Sequence, residues 1–194
     1  MTSTEKGTDM LPLNLIETQF HSLTEPLPLS AHHCNGAQAH AAGPGAFRRW
    51  LLDDAAPLAH RDQVWAELIL KTRDASDSEA LTMLLLGLAL PGLRRAVNRA
   101  KFQSPGTERA DLEAEAITGF LAAIHTVDLT RRAICSQLCQ AAHTAARVLG
   151  RSNRRQRHEL EEAVEEPEHT EVGHVDLVLA DAVTAGVIAP TKPP

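Results

Sequence analysis

The scarcity of aromatic residues most constrains what this chain can fold into. Its 194 residues include no Tyr, four Phe and two Trp, although 43% of the residues are hydrophobic. An apolar core must therefore be built mainly from Leu, Ala, Val and Ile. Ala and Leu are strong helix formers, whereas the aromatic residues that favour strands are rare here. The sequence predicts an all-α protein.

Apolar residues recur at intervals of three and four over residues 46–158, which predicts a single compact helical bundle. The predicted helices are two short ones around residues 47–51 and 64–69, a third from Asp77 or Ser78, a fourth after Pro91, a fifth over 108–125, and a sixth from Leu129 or Thr130 to Leu149. We expect Pro91 to interrupt the third helix, because proline lacks the backbone N–H. Gly150 is expected to end the sixth.

Two flanking segments differ from the bundle in composition. Residues 1–45 are rich in Pro and Gly and show no sustained period, which predicts a disordered leader. Residues 159–194 form a charged C-terminal tail, predicted to comprise an acidic linker and a short helix over 175–187. The function is expected to reside mainly in the central bundle.

Cysteine usage and hydropathy predict a cytoplasmic protein. Three Cys, with no basic and then apolar leader after Met1, argue against a disulfide scaffold and a secretory signal. The longest apolar stretch, Leu81 to Leu90, is shorter than the ~20 residues that a membrane-spanning helix needs. The sequence therefore predicts no membrane association.

The motifs of common enzyme classes are absent from the sequence. No phosphate-binding G-x-x-x-x-G-K-[ST], nucleophile-elbow G-x-S-x-G or zinc-binding H-E-x-x-H occurs, so we expect neither enzymatic activity nor a cofactor. His125 and Asp128 lie at the end of the fifth predicted helix. We interpret His125 as a cation that interacts with the helix dipole at its C-terminus rather than as half of a catalytic pair.

Cys135, Cys139 and His143 are spaced four residues apart, which raises the question of a metal site. Eight residues of helix rise by about 12 Å, too far for all three to reach one zinc ion. The missing ligands would have to come from the leader, from His32, His33, Cys34 or His40. We therefore predict no metal site, and buried or half-buried thiols at the two helical cysteines.

Residues 131–158 form a basic segment in a chain whose net charge is −6. The segment contains no Asp or Glu and seven arginines: Arg131, Arg132, Arg147, Arg151, Arg154, Arg155 and Arg157. One interpretation is a surface that contacts phosphates. Another is a solvated helix end that pairs with the Glu-rich residues 159–171, and a combined hypothesis is that these acids shield the arginines until nucleic acid competes.

The fifth predicted helix reads D-L-E-A-E-A-I-T-G-F-L-A-A-I from Asp111, and Val127-Asp128 follow it. This stretch resembles the D-L-x-Q-E-x-x-x-x-L-x-x-A-I-x-x-F-D pattern of conserved region 2 in bacterial RNA polymerase sigma factors, of the extracytoplasmic-function type. Residues 90–96, L-P-G-L-R-R-A, resemble the preceding helix of that region. The resemblance covers about residues 77–158.

The resemblance implies a sigma region 2-like fold and a function in transcription. In that family the acidic face of this helix binds the clamp of the largest subunit of core RNA polymerase, so Asp111 and Glu115 would contact the polymerase, with Leu112 packed beneath them. The next helix captures unpaired promoter DNA. By the same resemblance Arg131, Arg132 and Arg147 would contact the strand, and the charge pattern adds Arg151, Arg154 and Arg155 as DNA-binding candidates.

The chain departs from the family pattern in ways that leave two functions open. Ala114 stands in place of the family's Gln, and no helix-turn-helix is recognisable after residues 176–181. Where the family has aromatic residues that stack on bases, worth ~1–3 kcal/mol each, this chain has Ile134, Leu138, Ala141 and Ala142. One prediction is a sigma-like protein that binds core polymerase and, as a further candidate partner, promoter DNA. The alternative is a helical interaction or regulatory protein that has lost promoter melting.

Overall fold

The computed structural model describes residues 11–23, 43–53, 55–75 and 79–165. Most of these residues are helical and none is in a strand, which confirms the predicted fold class. The helices are α1 (Pro12–Ser22), α2 (Pro44–Leu52), α3 (Leu58–Asp74), α4 (Glu79–Gln103), α5 (Arg109–Thr126) and α6 (Ile134–Glu165). The chain divides into two units, residues 1–155 and 156–194. We call the described helices of the first unit the bundle.

Helix α4 is the central element of the bundle. Its residues from Leu84 to Leu90 are all buried, and Leu93, Val97 and Ala100 continue the buried surface. It packs against α1, α2, α3 and α5. A helix that is apolar nearly all round needs neighbours on most sides, and this arrangement supplies them.

Pro91 lies inside α4, so the predicted break between a third and a fourth helix is wrong. A proline at this position leaves the carbonyl four residues earlier, that of Gly87, without its helical N–H donor. Arg48 of α2 donates from Nη1 to the Gly87 carbonyl at 3.3 Å and so supplies a replacement. A side chain from another helix thus compensates for the proline. The residues near Pro91 in the sequence give no sign of this contact.

Helix α1 lies within the predicted disordered leader, and that prediction is wrong for residues 12–22. Leu13, Ile16 and Phe20 are buried, and they follow the i, i+3, i+7 spacing of a helix that packs on a core. Phe20 fits against Gly87 of α4, where an added Cβ would lie 1.9 Å from the phenyl ring. The abundance of Pro and Gly further along the leader obscured this short period. Residues 1–10 and 24–42 lie outside the described residues.

Helix α6 continues beyond Gly150 to Glu165, so the predicted helix end and the start of the predicted linker are both wrong. Gly150 is required by packing rather than by a left-handed helix end. An added Cβ would lie 2.4 Å from the Ser104 hydroxyl, in the loop that follows α4. The rest of the predicted linker and the helix predicted over 175–187 lie outside the described residues.

The remaining helices agree with the periodicity, and α4 bears on the membrane prediction. Helices α2, α3 and α5 cover the segments for which helices are predicted. Because α4 runs through Pro91, its 25 residues are long and apolar enough, by length and composition alone, to cross a membrane. However, 56% of an apolar 18-residue stretch of this helix is buried inside the protein, which is also a property of core helices.

Candidate functional site

The N-terminal turns of α5 present the acids that the family resemblance singles out. Asp111 is exposed and Glu115 is partly exposed, whereas Leu112 between them is fully buried in the core. The two carboxylates therefore lie on the outer surface of a helix that the bundle fixes through its apolar face. Acids in this position also interact favourably with the positive end of the helix dipole.

Glu113 has a different role, which sequence reasoning missed. Its side chain is 2% exposed, and its Oε2 accepts a hydrogen bond from the backbone N–H of Leu13 at 3.0 Å. Its Oε1 accepts from Arg109 Nε at 2.8 Å. Glu113 thus caps the first turn of α1 from another helix. Its position three residues before the buried Ala116 places it on the apolar stripe, a signal that could have identified it.

Helices α5 and α6 pack closely and run antiparallel. A Cβ on Gly119 of α5 would lie 2.5 Å from the Cβ of Ala145 and 3.1 Å from the carbonyl oxygen of Ala141. Ser104 and Thr107, just before α5 begins, meet Gly150 of α6. The acidic start of α5 therefore lies at the same end of the bundle as residues 147–155 of α6.

The arginines of that end form a group that we call the arginine cluster: Arg147, Arg151, Arg154 and Arg155. Arg151 and Arg155 are exposed, whereas Arg147 is half-buried. Arg154 is also exposed, and its guanidinium donates a hydrogen bond to the carbonyl of Gln103. At least two of the four arginine side chains thus point to solvent, at the same end of the bundle as the start of α5.

Arg131 and Arg132 lie apart from the arginine cluster, in the loop between α5 and α6. From the start of α6 to Arg147 the helix rises by about 20 Å. Arg131 forms an exposed ion pair with Asp128 at 3.5 Å, and hydrogen bonds from Thr130 lower the pKa of Asp128, with a smaller contribution from Arg131. The predicted set of six DNA-binding arginines is therefore divided between the loop before α6 and the middle of that helix.

The positions that would carry aromatic residues in the sigma family face inward here. Ile134, Leu138 and Ala142 are buried in the core, and Ala141 is partly buried. These side chains hold α6 against the bundle and cannot stack on bases.

The two thiols and the histidine of α6 are neighbours along one side of that helix. Hydrogen bonding to Cys139, together with burial, raises the pKa of the Cys135 thiol, while the same hydrogen bond lowers the pKa of Cys139. Both cysteines are half-buried free thiols, as predicted. Within the described ranges no three His, Cys, Asp or Glu side chains are grouped to hold a metal ion. The leader residues His32, His33, Cys34 and His40 lie outside those ranges.

Comparison with known proteins gives no match: the chain matches no protein-family model, no curated protein and no solved structure.

Proposed function

We propose that this protein is a soluble, cytoplasmic, sigma-factor-like transcription protein that binds core RNA polymerase through Asp111 and Glu115. The observation that carries the proposal is the acidic surface at the start of α5. The two carboxylates face outward on either side of Leu112 in the sequence, and the burial of Leu112 fixes the backbone that carries them. A preorganised acidic surface suits a basic protein partner, because it loses little conformational entropy on binding.

The arginine cluster would add a DNA contact beside that docking surface. Its exposed guanidiniums, Arg151 and Arg155, would neutralise phosphates and release counterions. Because Ile134, Leu138 and Ala142 are buried, we do not assign promoter melting to α6. The second candidate, an interaction or regulatory protein that binds polymerase without opening DNA, is favoured by this same burial. Both candidates lack enzymatic activity and a cofactor.

Charge reversal at the acidic surface tests the polymerase contact. Asp111→Lys with Glu115→Lys should abolish co-purification with bacterial core RNA polymerase, while circular dichroism retains the helical spectrum. Asp74→Lys with Glu79→Lys is the matched control, because both acids are exposed on other helices, and it should bind as the wild type does. Equal binding by both double variants would remove the docking role of α5.

Salt dependence of DNA binding separates the two candidate functions. Arg151→Gln with Arg155→Gln should reduce the slope of log affinity against log salt concentration by about 1.4, near 0.7 per lost phosphate contact on a single strand. The probe is a fluorescent, mixed-sequence single-stranded oligonucleotide, read by anisotropy. If the wild-type chain does not bind this probe while it binds core polymerase, the interaction-protein candidate stands and the sigma-like DNA contact is rejected.

A further inference from the structure

A cavity of about 460 Å³ lies in the bundle, away from the acidic surface of α5. Helices α2, α3, α4 and α6 line it, together with Ala133 before α6. This volume is within the usual range for sites that bind small molecules. The cavity uses none of the residues assigned above to polymerase or DNA.

The wall that α4 contributes changes from apolar to cationic along the helix. Leu88, Arg95 and Arg99 all line the cavity, at the i, i+7, i+11 spacing of one helix face. From Leu88 to Arg99 the helix rises by about 16 Å. The apolar end is completed by Leu51, Leu52, Leu58 and Trp65. A ligand that fills this space would therefore have an apolar part and an anionic part.

His143 supplies an independent sign that the cationic end is built for a ligand. The side chain lines the cavity and is 6% exposed, yet neither ring nitrogen has a hydrogen-bond partner. Buried polar groups without partners are rare and costly, and they call for an explanation. Arg99 and Arg147 lie close enough to act on its charge. An anion at this end would accept hydrogen bonds from the imidazole and from the guanidinium of Arg99.

The charge balance of the lining also favours an anion. Arg95 and Arg99 contribute two cations at the cationic end, and Asp62 is the one acid among the described lining residues. Arg61, a third lining cation, lies among the apolar residues of α3 and donates from Nη1 to the Leu51 carbonyl at 3.4 Å. Both carboxylate oxygens of Asp62 already accept hydrogen bonds, from the backbone N–H groups of Ala133 at 2.8 Å and Ile134 at 2.9 Å. The acid therefore caps α6, and the arginines still outnumber it among the described lining residues.

We propose that this cavity binds a small amphipathic anion, a carboxylate or a phosphate monoester that carries an apolar chain. The headgroup lies between His143 and Arg99, with Arg95 beside them, and the chain extends toward Leu88 and Trp65. Binding would satisfy the imidazole and neutralise the cationic end of the cavity.

Titration of the full chain with decanoate and with decyl phosphate tests this site. In the Trp50→Phe variant Trp65 is the sole tryptophan, so its fluorescence reports occupancy of the apolar end, with calorimetry as the second measurement. At least one of the two amphiphiles should bind saturably below its micelle concentration, and decanol and inorganic phosphate should each bind at least about tenfold more weakly, because each retains one half of the ligand.

Matched arginine pairs test the location. Arg95→Gln with Arg99→Gln should weaken binding by about tenfold or more, and both arginines are exposed enough for the fold to tolerate the change. Arg49→Gln with Arg157→Gln, two exposed arginines outside the cavity, should leave it unchanged. The proposal is overturned if neither amphiphile binds, if decanol or inorganic phosphate binds as tightly as the amphiphiles, or if the two double variants bind equally.

Discussion

Asp111 and Glu113 are two acids of the same helical turn, and they differ completely in what they do. Asp111 is exposed to solvent at the outer surface of α5. Glu113, two residues later, is buried, and it joins α5 to the first turn of α1 and to Arg109. The difference teaches that the charges of this protein divide into those that hold helices together and those that remain exposed to solvent. Residue type alone does not separate the two groups.

The same division runs through the arginines. Arg48 and Arg73 donate hydrogen bonds to carbonyls that lack a helical N–H donor. Arg48 donates to the carbonyl of Gly87, which Pro91 leaves without a donor, and Arg73 donates to the carbonyls of Ile124 and Val127 at the end of α5, at 2.8 and 2.9 Å. Arg151 and Arg155 have exposed side chains at the surface of α6. Substitutions within the first group should change stability, and substitutions within the second should change binding.

The largest stability effect is expected at Glu113. Glu113→Ala should lower the free energy of unfolding by about 2–3 kcal/mol, because it leaves the Leu13 N–H and the Nε–H of Arg109 without their acceptor. Asp111→Ala should change it by less than about 0.5 kcal/mol. Urea denaturation followed by circular dichroism measures both. Similar losses of unfolding free energy in the two variants would show that the buried and the exposed acid contribute equally to the stability of the fold.

Asp62 should produce the next largest effect. Asp62→Ala removes the acceptor for two backbone N–H groups at the start of α6, and we expect a loss of about 1–2 kcal/mol. Asp74→Ala, an exposed acid at the end of α3, is the matched control and should be nearly neutral. The measurement is again urea denaturation, and a neutral result at Asp62 would show that water can replace the carboxylate.

Ala133 should give a smaller change, of opposite sign. Its φ of 58° lies in the left-handed region, which costs free energy for any residue with a Cβ. Ala133→Gly should therefore raise the stability by about 0.5–1 kcal/mol. If the thermal midpoint falls instead, the methyl group contributes packing at the cavity wall that outweighs the strain.

The sequence predicts the helices well because their apolar spacing is local. It predicts helix ends and breaks wrongly where a side chain distant in the sequence compensates for a proline or packs against a glycine. Periodicity identifies α2, α3 and α5 and the apolar face of α6. Pro91 does not break α4 because Arg48 replaces the missing bond, and Gly150 does not end α6 because the Ser104 loop packs against it. The charged run of α6 is visible in the sequence, whereas the cavity brings together residues of four helices that no spacing connects.

The division between inward and outward groups also predicts a small pH effect at His143. Burial, with the charges of Arg99 and Arg147, lowers the pKa of His143 from its ordinary value of 6.5. Between the lowered pKa and 6.5 the unfolded chain binds more protons at this residue than the folded chain, so stability falls as the pH is lowered through that range. This penalty is absent well above pH 6.5 and complete below the lowered pKa.

Urea denaturation at pH 7.5 and 5.5 isolates this effect when wild type is compared with His143→Gln. The wild type should lose more stability than the variant on acidification, because glutamine cannot take up the proton that the folded site disfavours. His125→Gln controls for the loss of an exposed imidazole. Decanoate, if it occupies the cavity, should shrink the difference, since an anion beside His143 favours the protonated ring. An identical loss of stability in wild type and His143→Gln would show that the buried imidazole does not couple folding to pH.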